Sequence, residues 1–245
     1  MKALILAGGK GTRFMEETTV RPKPMIEING KPIILHIMDH YVYHGINEFI
    51  ILGGYKIDYF FEYFESQKLE QDSEFIYLDK EIKIKILDTG IETATGGRIK
   101  RAKEYLDDSF LMTYGDGLSN VNITKLISFH EKHNKLATVT AVRPPARFGS
   151  LTIEKDTVID FGEKIQSKEG WINGGFFVLD KKVIDFIDND QTAFEDDPLE
   201  NLSKSLNLQA FKHEGFWYPV DTIREKQTLE KFINQNNGVP PWSND

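Results

Sequence analysis

The chain contains no cysteine, which excludes disulfide staples, thiol nucleophiles and thiolate metal sites together. Any metal must bind through oxygen or imidazole. Long apolar runs are missing as well. The opening Met1-Lys2-Ala3-Leu4-Ile5-Leu6-Ala7 is apolar for only five residues before the glycines, too short for a signal-peptide core, and no later stretch approaches membrane-spanning length. Positive charge is in deficit, with 30 Lys and Arg against 38 Asp and Glu and a net charge of -8. That field repels a nucleic-acid duplex or an anionic membrane. The expectation is a cytoplasmic protein with no nucleic-acid or membrane partner. Small anions remain open, because a few cations inside a cleft outweigh a distant acidic surface.

What is present is ordinary globular composition, 40% hydrophobic with 17 Phe and 9 Tyr among 245 residues, enough for one sizeable core. Ala3 to Ala7, a short apolar run closed by glycines, suits a buried parallel strand. Residues 32 to 44 carry helical spacing behind Pro32, read as a first helical position, and end at Gly45. A second buried strand follows at Phe49 to Leu52. Further strands are expected at Ile82 to Leu87, Phe110 to Thr113, Ala137 to Val142 and Phe176 to Leu179. Helical stretches are expected near 57 to 66, 122 to 134 and 181 to 187. This order is that of an α/β fold with a Rossmann-like, doubly wound mixed sheet, binding ligands beyond the carboxyl ends of its strands. The spacing shortens into β segments after about residue 147. The reading is one domain over 1–233, with a larger half of about 1–146 and a smaller β-rich half of about 147–233 that would hold a second substrate. A polar tail, 234–245, frays or docks.

Gly8-Gly9-Lys10-Gly11-Thr12-Arg13 lets backbone N–H groups approach an anion, and a following helix would add its positive end. Arg13 can add a bidentate fork to phosphate oxygens. The same residues also suit a plain strand-to-helix turn. From Gly9 the spacing is GxGxxF rather than GxGxxG, and Gly53-Gly54-Tyr55 stands where a dinucleotide fold wants a ribose-binding acid. No Gly-Lys pair is followed by Ser or Thr, so the P-loop pattern fails too. Arg21-Pro22-Lys23-Pro24-Met25 holds Lys23 between two prolines on a rigid segment, aimed as a point charge.

The glycine loop LAGGKGTRF followed by RPKPM strongly resembles the sugar-1-phosphate nucleotidyltransferases. The segments LDTGIETATGGRIKR, TYGDGLSNV, VTAVRPPARFG, GWINGGFFVL and HEGFWYPVDT follow in the order of that family's cytidylyltransferases acting on glucose 1-phosphate. The resemblance implies the nucleotide-diphospho-sugar transferase type of fold. It implies transfer of a cytidylyl group from CTP to a sugar 1-phosphate, α-D-glucose 1-phosphate before others, in a Mg²⁺-dependent homo-oligomer serving nucleotide-sugar and polysaccharide biosynthesis. The choice of CTP rests on resemblance alone.

Carried over residue by residue, the resemblance implies that Asp116 and Asp221 hold Mg²⁺, whose preference is for hard oxygen. Arg13, Lys23 and Lys164 join them as catalytic cations. The nucleotide is expected against Leu6, Ala7, Gly8, Gly9, Gly11, Thr12, Arg13, Lys23, Thr95, Gly97, Arg98, Tyr114, Gly115 and Asp116. The sugar phosphate is expected against Glu163, Lys164, Asn173, Gly174 and Thr222. Arg143 to Gly149 runs along the crevice in the family, and equally suits a strand exit with two surface arginines. His36, His40 and His44 share a helix face, but no HExxH or acidic third ligand accompanies them, so a structural helix is the reading.

The implied reaction is attack of a sugar-phosphate oxygen on the α-phosphorus. The phosphate is already anionic, so no general base is needed. A silent nucleotide-sugar sensor should have lost a metal acid or phosphate cation, and a glycosyltransferase should show Asp-x-Asp where this chain has Gly115-Asp116-Gly117. Two departures from the family stand out. Lys10 occupies a position where Leu is usual, either adding a phosphate contact or pointing to solvent, and the stretch from Glu65 to Lys85 is short and lacks a Glu-Pro-Trp element.

Overall fold

A computed structural model describes residues 1–66, 74–77, 80–144, 150–162 and 170–243. Its centre is a nine-stranded mixed sheet. In chain order the strands are β1 (Ala3–Leu6), β2 (Glu48–Gly53), β3 (Glu74–Tyr77), β4 (Lys80–Asp88), β5 (Ser109–Tyr114), β6 (Ala137–Val142), β7 (Ile172–Asn173), β8 (Phe177–Asp180) and β9 (Leu208–His213). Across the sheet they run β7-β6-β8-β5-β1-β2-β4-β3, with β9 also paired to β6. β5, β1, β2 and β4 are mutually parallel. β8 runs antiparallel between β5 and β6.

The apolar runs are continuous because both faces of the sheet are covered. Ala3 and Ile5 of β1, with Phe49 and Ile51 of β2, join a core shared with the helices Ile33–Tyr43, Ile57–Ser66, Ile123–His133 and Ile223–Gln235. Leu4 and Leu6, with Ile50 and Leu52, face a second core. That core holds Ile99 of the helix Thr95–Arg101, Val183 and Ile184 of the 3-10 helix Lys181–Phe186, and Leu202 of the helix Asp197–Lys204.

Local signals set several boundaries. Pro32 is the residue preceding its helix rather than the first helical one, with an extended ψ of 141°. The helix Ile123–His133 is capped by the Asn122 side chain, which accepts from Lys125 N at 2.8 Å, and ends in left-handed Asn134. The strand expected from Phe176 starts instead at Phe177, because Phe176 takes φ +47° and cannot join the ladder. No long helix follows the glycine loop: a 3-10 turn at Thr12–Phe14 leads into one helical turn, Met15–Thr18. The helices Thr95–Arg101, Asp197–Lys204 and Ile223–Gln235 escape the periodicity reading because they carry few apolar residues or a Gly pair.

The tail docks. Trp242 is buried, with its ring edge-on to His36 at 5.3 Å and 5.8 Å from Phe216. Among the described residues no helix is long and apolar enough to cross a membrane.

Candidate active site

The register of the parallel strands brings several loops to one edge. Leu6 lies beside Leu52 and Tyr114, and Leu52 beside Leu87. The glycine loop, Gly54-Tyr55, the segment from Thr89 and the Gly115-Asp116-Gly117 turn therefore leave the sheet together. They enclose a cleft of about 530 Å³. It is lined by Leu6, Ala7, Gly8, Gly9, Gly11, Thr12, Arg13, Lys23, Thr95, Arg98, Tyr114, Gly115 and Asp116 from the expected nucleotide set, together with Lys10, Pro24, Ile91, Glu92, Thr93, Ala94 and Asp221.

Each glycine here has its own reason. A Cβ on Gly9 would meet nothing within 4 Å, so this part of the loop lies open to a ligand. Gly11 needs φ +60°, and a Cβ on Gly115 would lie 2.7 Å from Pro24 and 3.0 Å from the Leu6 carbonyl. Pro24 is thus pressed against the turn that carries Asp116, which seats Lys23 under both acids.

Lys23 Nζ donates to Asp116 Oδ2 at 2.6 Å and also to Asp221 Oδ1. Arg13 Nη1 donates to Asp221 Oδ2 at 3.0 Å. Burial of Lys23 works against its charge, but Asp116 and Asp221 outweigh that and hold its pKa above the ordinary lysine value. Two carboxylates from distant parts of the chain thus converge on one cation. Asp221 is fixed by a capping box at the start of the helix Ile223–Gln235. Thr222 Oγ1 accepts from Glu225 N at 3.2 Å and donates to Glu225 Oε2, which also accepts from Asp221 N at 2.7 Å.

Three residues of the expected nucleotide and sugar sets are hydrogen-bonded or packed within the fold itself. Arg98 is only 4% exposed. Its Nη1 donates to Gly53 O at 2.8 Å and Thr89 Oγ1 at 2.6 Å, and its Nη2 to Gly8 O at 3.1 Å and Ile91 O at 3.3 Å. Burial lowers its pKa. Its guanidinium ties the loops after β1, β2 and β4 together at the wall of the cleft. Gly97 is turned away, because a Cβ on it would lie 2.5 Å from the Asp190 carbonyl. Thr222 has its hydroxyl engaged in the capping box.

On the sugar side, Glu163, Lys164 and Arg147 lie outside the described residues. Asn173 Nδ2 donates to Tyr114 Oη at 3.2 Å, and its Oδ1 accepts from Gly175 N at 2.9 Å. Gly174 N donates to Thr140 O, and its carbonyl accepts from Trp217 Nε1 at 2.7 Å. Gly174 therefore anchors the turn that presents Asn173. Arg143 stacks over Trp171 at 3.9 Å and donates to Gly170 O.

Glu195 was not legible as a site residue. Its Oε1 accepts from Tyr114 Oη at 2.6 Å and its Oε2 from Thr95 Oγ1 at 2.5 Å. Burial, then the Glu195 charge, raises the Tyr114 pKa. One carboxylate thereby joins the cleft wall at Thr95 to the turn at Asn173. A lone Glu in the polar run Glu195-Asp196-Asp197 carries no sequence signal of this. The three helix histidines are structural, with His36 Nε2 against Ile28 O at 3.2 Å and His40 Nε2 against Val121 O at 2.7 Å. Among the described residues no group of three His, Asp or Glu is placed to hold a metal.

Comparison with known proteins matches residues 2–235 to the nucleotidyl transferase family. The glucose-1-phosphate cytidylyltransferase of Salmonella typhi is 48% identical over 255 residues, covering 99% of this chain and 98% of that protein. A probable glucose-1-phosphate cytidylyltransferase of Bacillus subtilis is 46% identical, covering 98% of each. Among solved structures, HddC from Yersinia pseudotuberculosis superposes with a TM-score of 0.72 at 26% identity, covering 95% of this chain and 99% of that one.

Proposed function

The chain belongs to the nucleotidyl transferase family, and from that premise we propose that it transfers the cytidylyl group of CTP to α-D-glucose 1-phosphate, releasing CDP-glucose and pyrophosphate. The observation that carries the reading is the convergence of Asp116 and Asp221 on Lys23 beneath an open glycine loop. Near full-length likeness to glucose-1-phosphate cytidylyltransferases supports the choice of substrates.

The two carboxylates already share one cation, and hard oxygens in that number suit Mg²⁺, which takes one or two carboxylates and completes its shell with phosphates and water. Asp116 and Asp221 would hold Mg²⁺, which would supply charge neutralisation and polarisation of the phosphate oxygens. The chain's own residues do the rest. Backbone N–H groups of Gly8 to Thr12 receive the triphosphate. Arg13 and Lys23, paired with those carboxylates, would offer their charge to the phosphates. Lys164 binds the sugar phosphate, Glu163 accepts from sugar hydroxyls, and Asn173 offers its remaining amide hydrogen to the sugar.

A sugar-phosphate oxygen then attacks the α-phosphorus and the bond to pyrophosphate breaks. No proton has to move and no enzyme nucleophile is needed. Catalysis is alignment of two mutually repelling polyanions and stabilisation of the charge on the leaving group. We assign the nucleotide to residues of about 1–146 together with Asp221, and the sugar phosphate to residues of about 147–233.

The experiment is a matrix of nucleoside triphosphates against sugar 1-phosphates, scored by pyrophosphate release with and without Mg²⁺. CTP with glucose 1-phosphate and Mg²⁺ should exceed every other combination. Preference for another pair, or equal release in chelator, would overturn the corresponding part of the reading.

A further inference from the structure

Lys10, Arg13 and Lys23 all line the cleft, and each is held by a carboxylate. For Arg13 and Lys23 that carboxylate belongs to the acid pair already described. Lys10 is different. Its Nζ lies 2.6 Å from Glu92 Oε1. Lys10 comes from the loop after β1 and Glu92 from the segment after β4, so the ion pair spans the mouth of the cleft from one lip to the other.

Both side chains are largely in water, 47% exposed for Lys10 and 77% for Glu92. Exposed pairs of this kind contribute little and exchange partners readily. A triphosphate offers several negative charges and strong charge-assisted acceptors where Glu92 offers one carboxylate. Gly9, the neighbour of Lys10, leaves open space above the loop backbone. A polyanion can therefore settle within reach of the ammonium without displacing packed atoms.

We propose that Lys10 is a further phosphate-binding residue of the nucleotide cleft and that Glu92 is its resident competitor. The carboxylate holds the ammonium across the mouth until the triphosphate takes it over, and reclaims it as pyrophosphate leaves. Glu92 thereby weakens the grip on the nucleotide and eases release of the product. The proposal rests on the nucleotidyl-transfer reading but needs only a phosphate chain as ligand, not cytosine.

Pyrophosphate with Mg²⁺ is the probe, titrated by calorimetry into the full-length wild type, Lys10→Met, Glu92→Gln and the double variant, with KM for CTP and for glucose 1-phosphate measured alongside. Lys10→Met should weaken pyrophosphate binding roughly five- to tenfold, the size of one charge-assisted bond at a wet site. Glu92→Gln should tighten it roughly two- to fivefold, and the double variant should match Lys10→Met, since the carboxylate then has nothing to withhold. KM for CTP should follow the same pattern while KM for glucose 1-phosphate stays within about twofold.

If both single variants weaken binding, the pair only braces the loop and the proposal falls. If Glu92→Gln tightens binding as much without Lys10 as with it, Glu92 acts through its general field and the proposal falls. Equal binding by all four proteins, or none by the wild type, overturns it as well. Use of a different triphosphate by the wild type would overturn the choice of CTP alone, because pyrophosphate is the product of every such donor.

Discussion

Asp221 has three partners. Lys23 and Arg13 meet its carboxylate, and Glu225 meets its backbone N–H. Replacing the carboxylate with an amide keeps the shape, the capping box and the Lys23–Asp116 contact, but removes one hard anionic oxygen donor from the acid pair. Asp221→Asn should therefore retain its circular dichroism spectrum and urea midpoint while pyrophosphate release falls about a hundredfold or more. An unfolded variant, or one with wild-type turnover, would remove Asp221 from the catalytic role. Arg98 makes the opposite case. Its fork meets three carbonyls and a hydroxyl at once, which a lysine ammonium cannot span. Arg98→Lys should cost about 2 to 3 kcal/mol of stability in urea titrations, because buried carbonyls lose their donor. KM for CTP should rise with it, because the loops after β1, β2 and β4 lose their common tie.

At the scale of elements, the site is assembled from short irregular pieces held by regular ones. The glycine loop has no long helix behind it, so the phosphate binding proposed for it rests on backbone N–H groups and neighbouring cations more than on a helix dipole. The helix Ile223–Gln235 serves the site through its first turn, where the capping box orients Asp221. The tail shows how peripheral chain supports that arrangement. Trp242 packs on His36 and Phe216, and the Phe216 carbonyl accepts from Asn120 N and Ser119 Oγ. Trp242→Ala should lower the urea midpoint by an amount corresponding to about 3 kcal/mol, with an unchanged denaturant slope. A null effect would make the tail a passive appendage.

For the whole molecule, burial decides how stability responds to acid. Burial lowers His36 and His40 from 6.5 to about 4, and the same cause lowers His44, His130, His133 and His213. Unfolded imidazoles take up protons as pH falls through 6.5, whereas the folded His36 and His40 do so only near 4. Between those values the unfolded chain binds more protons, so stability is full above about 6.5 and drains away as pH drops toward 4. The limit is about 3 kcal/mol for each of these two residues. Urea midpoints measured from pH 7 to pH 4.5 should fall steeply, and His36→Gln should flatten that slope even if it lowers the midpoint at pH 7. A pH-independent midpoint would show that these imidazoles are not buried neutral.

The sequence by itself determined the α/β alternation, because apolar runs closed by glycine and turn residues admit only strands covered on both faces, as in Ala3–Leu6, Glu48–Gly53 and Ala137–Val142. It determined the residue types of the cleft, since an open glycine loop and a lysine between prolines are local properties of the chain. The tertiary structure decided which of them act together. Parallel register set Leu6 level with Leu52 and Tyr114, and the antiparallel pairing of Trp217–Pro219 with Gly117–Ser119 brought Asp221 beside Asp116 on one lysine. Long-range packing turned Arg98 inward and Gly97 away, and brought Glu195 to Tyr114 and Thr95 across a separation of 81 and 100 residues. Spacing along a chain reports the conformation of neighbours. Which side chains meet depends on how strands pair, and pairing is fixed only when the two faces of the sheet are buried together.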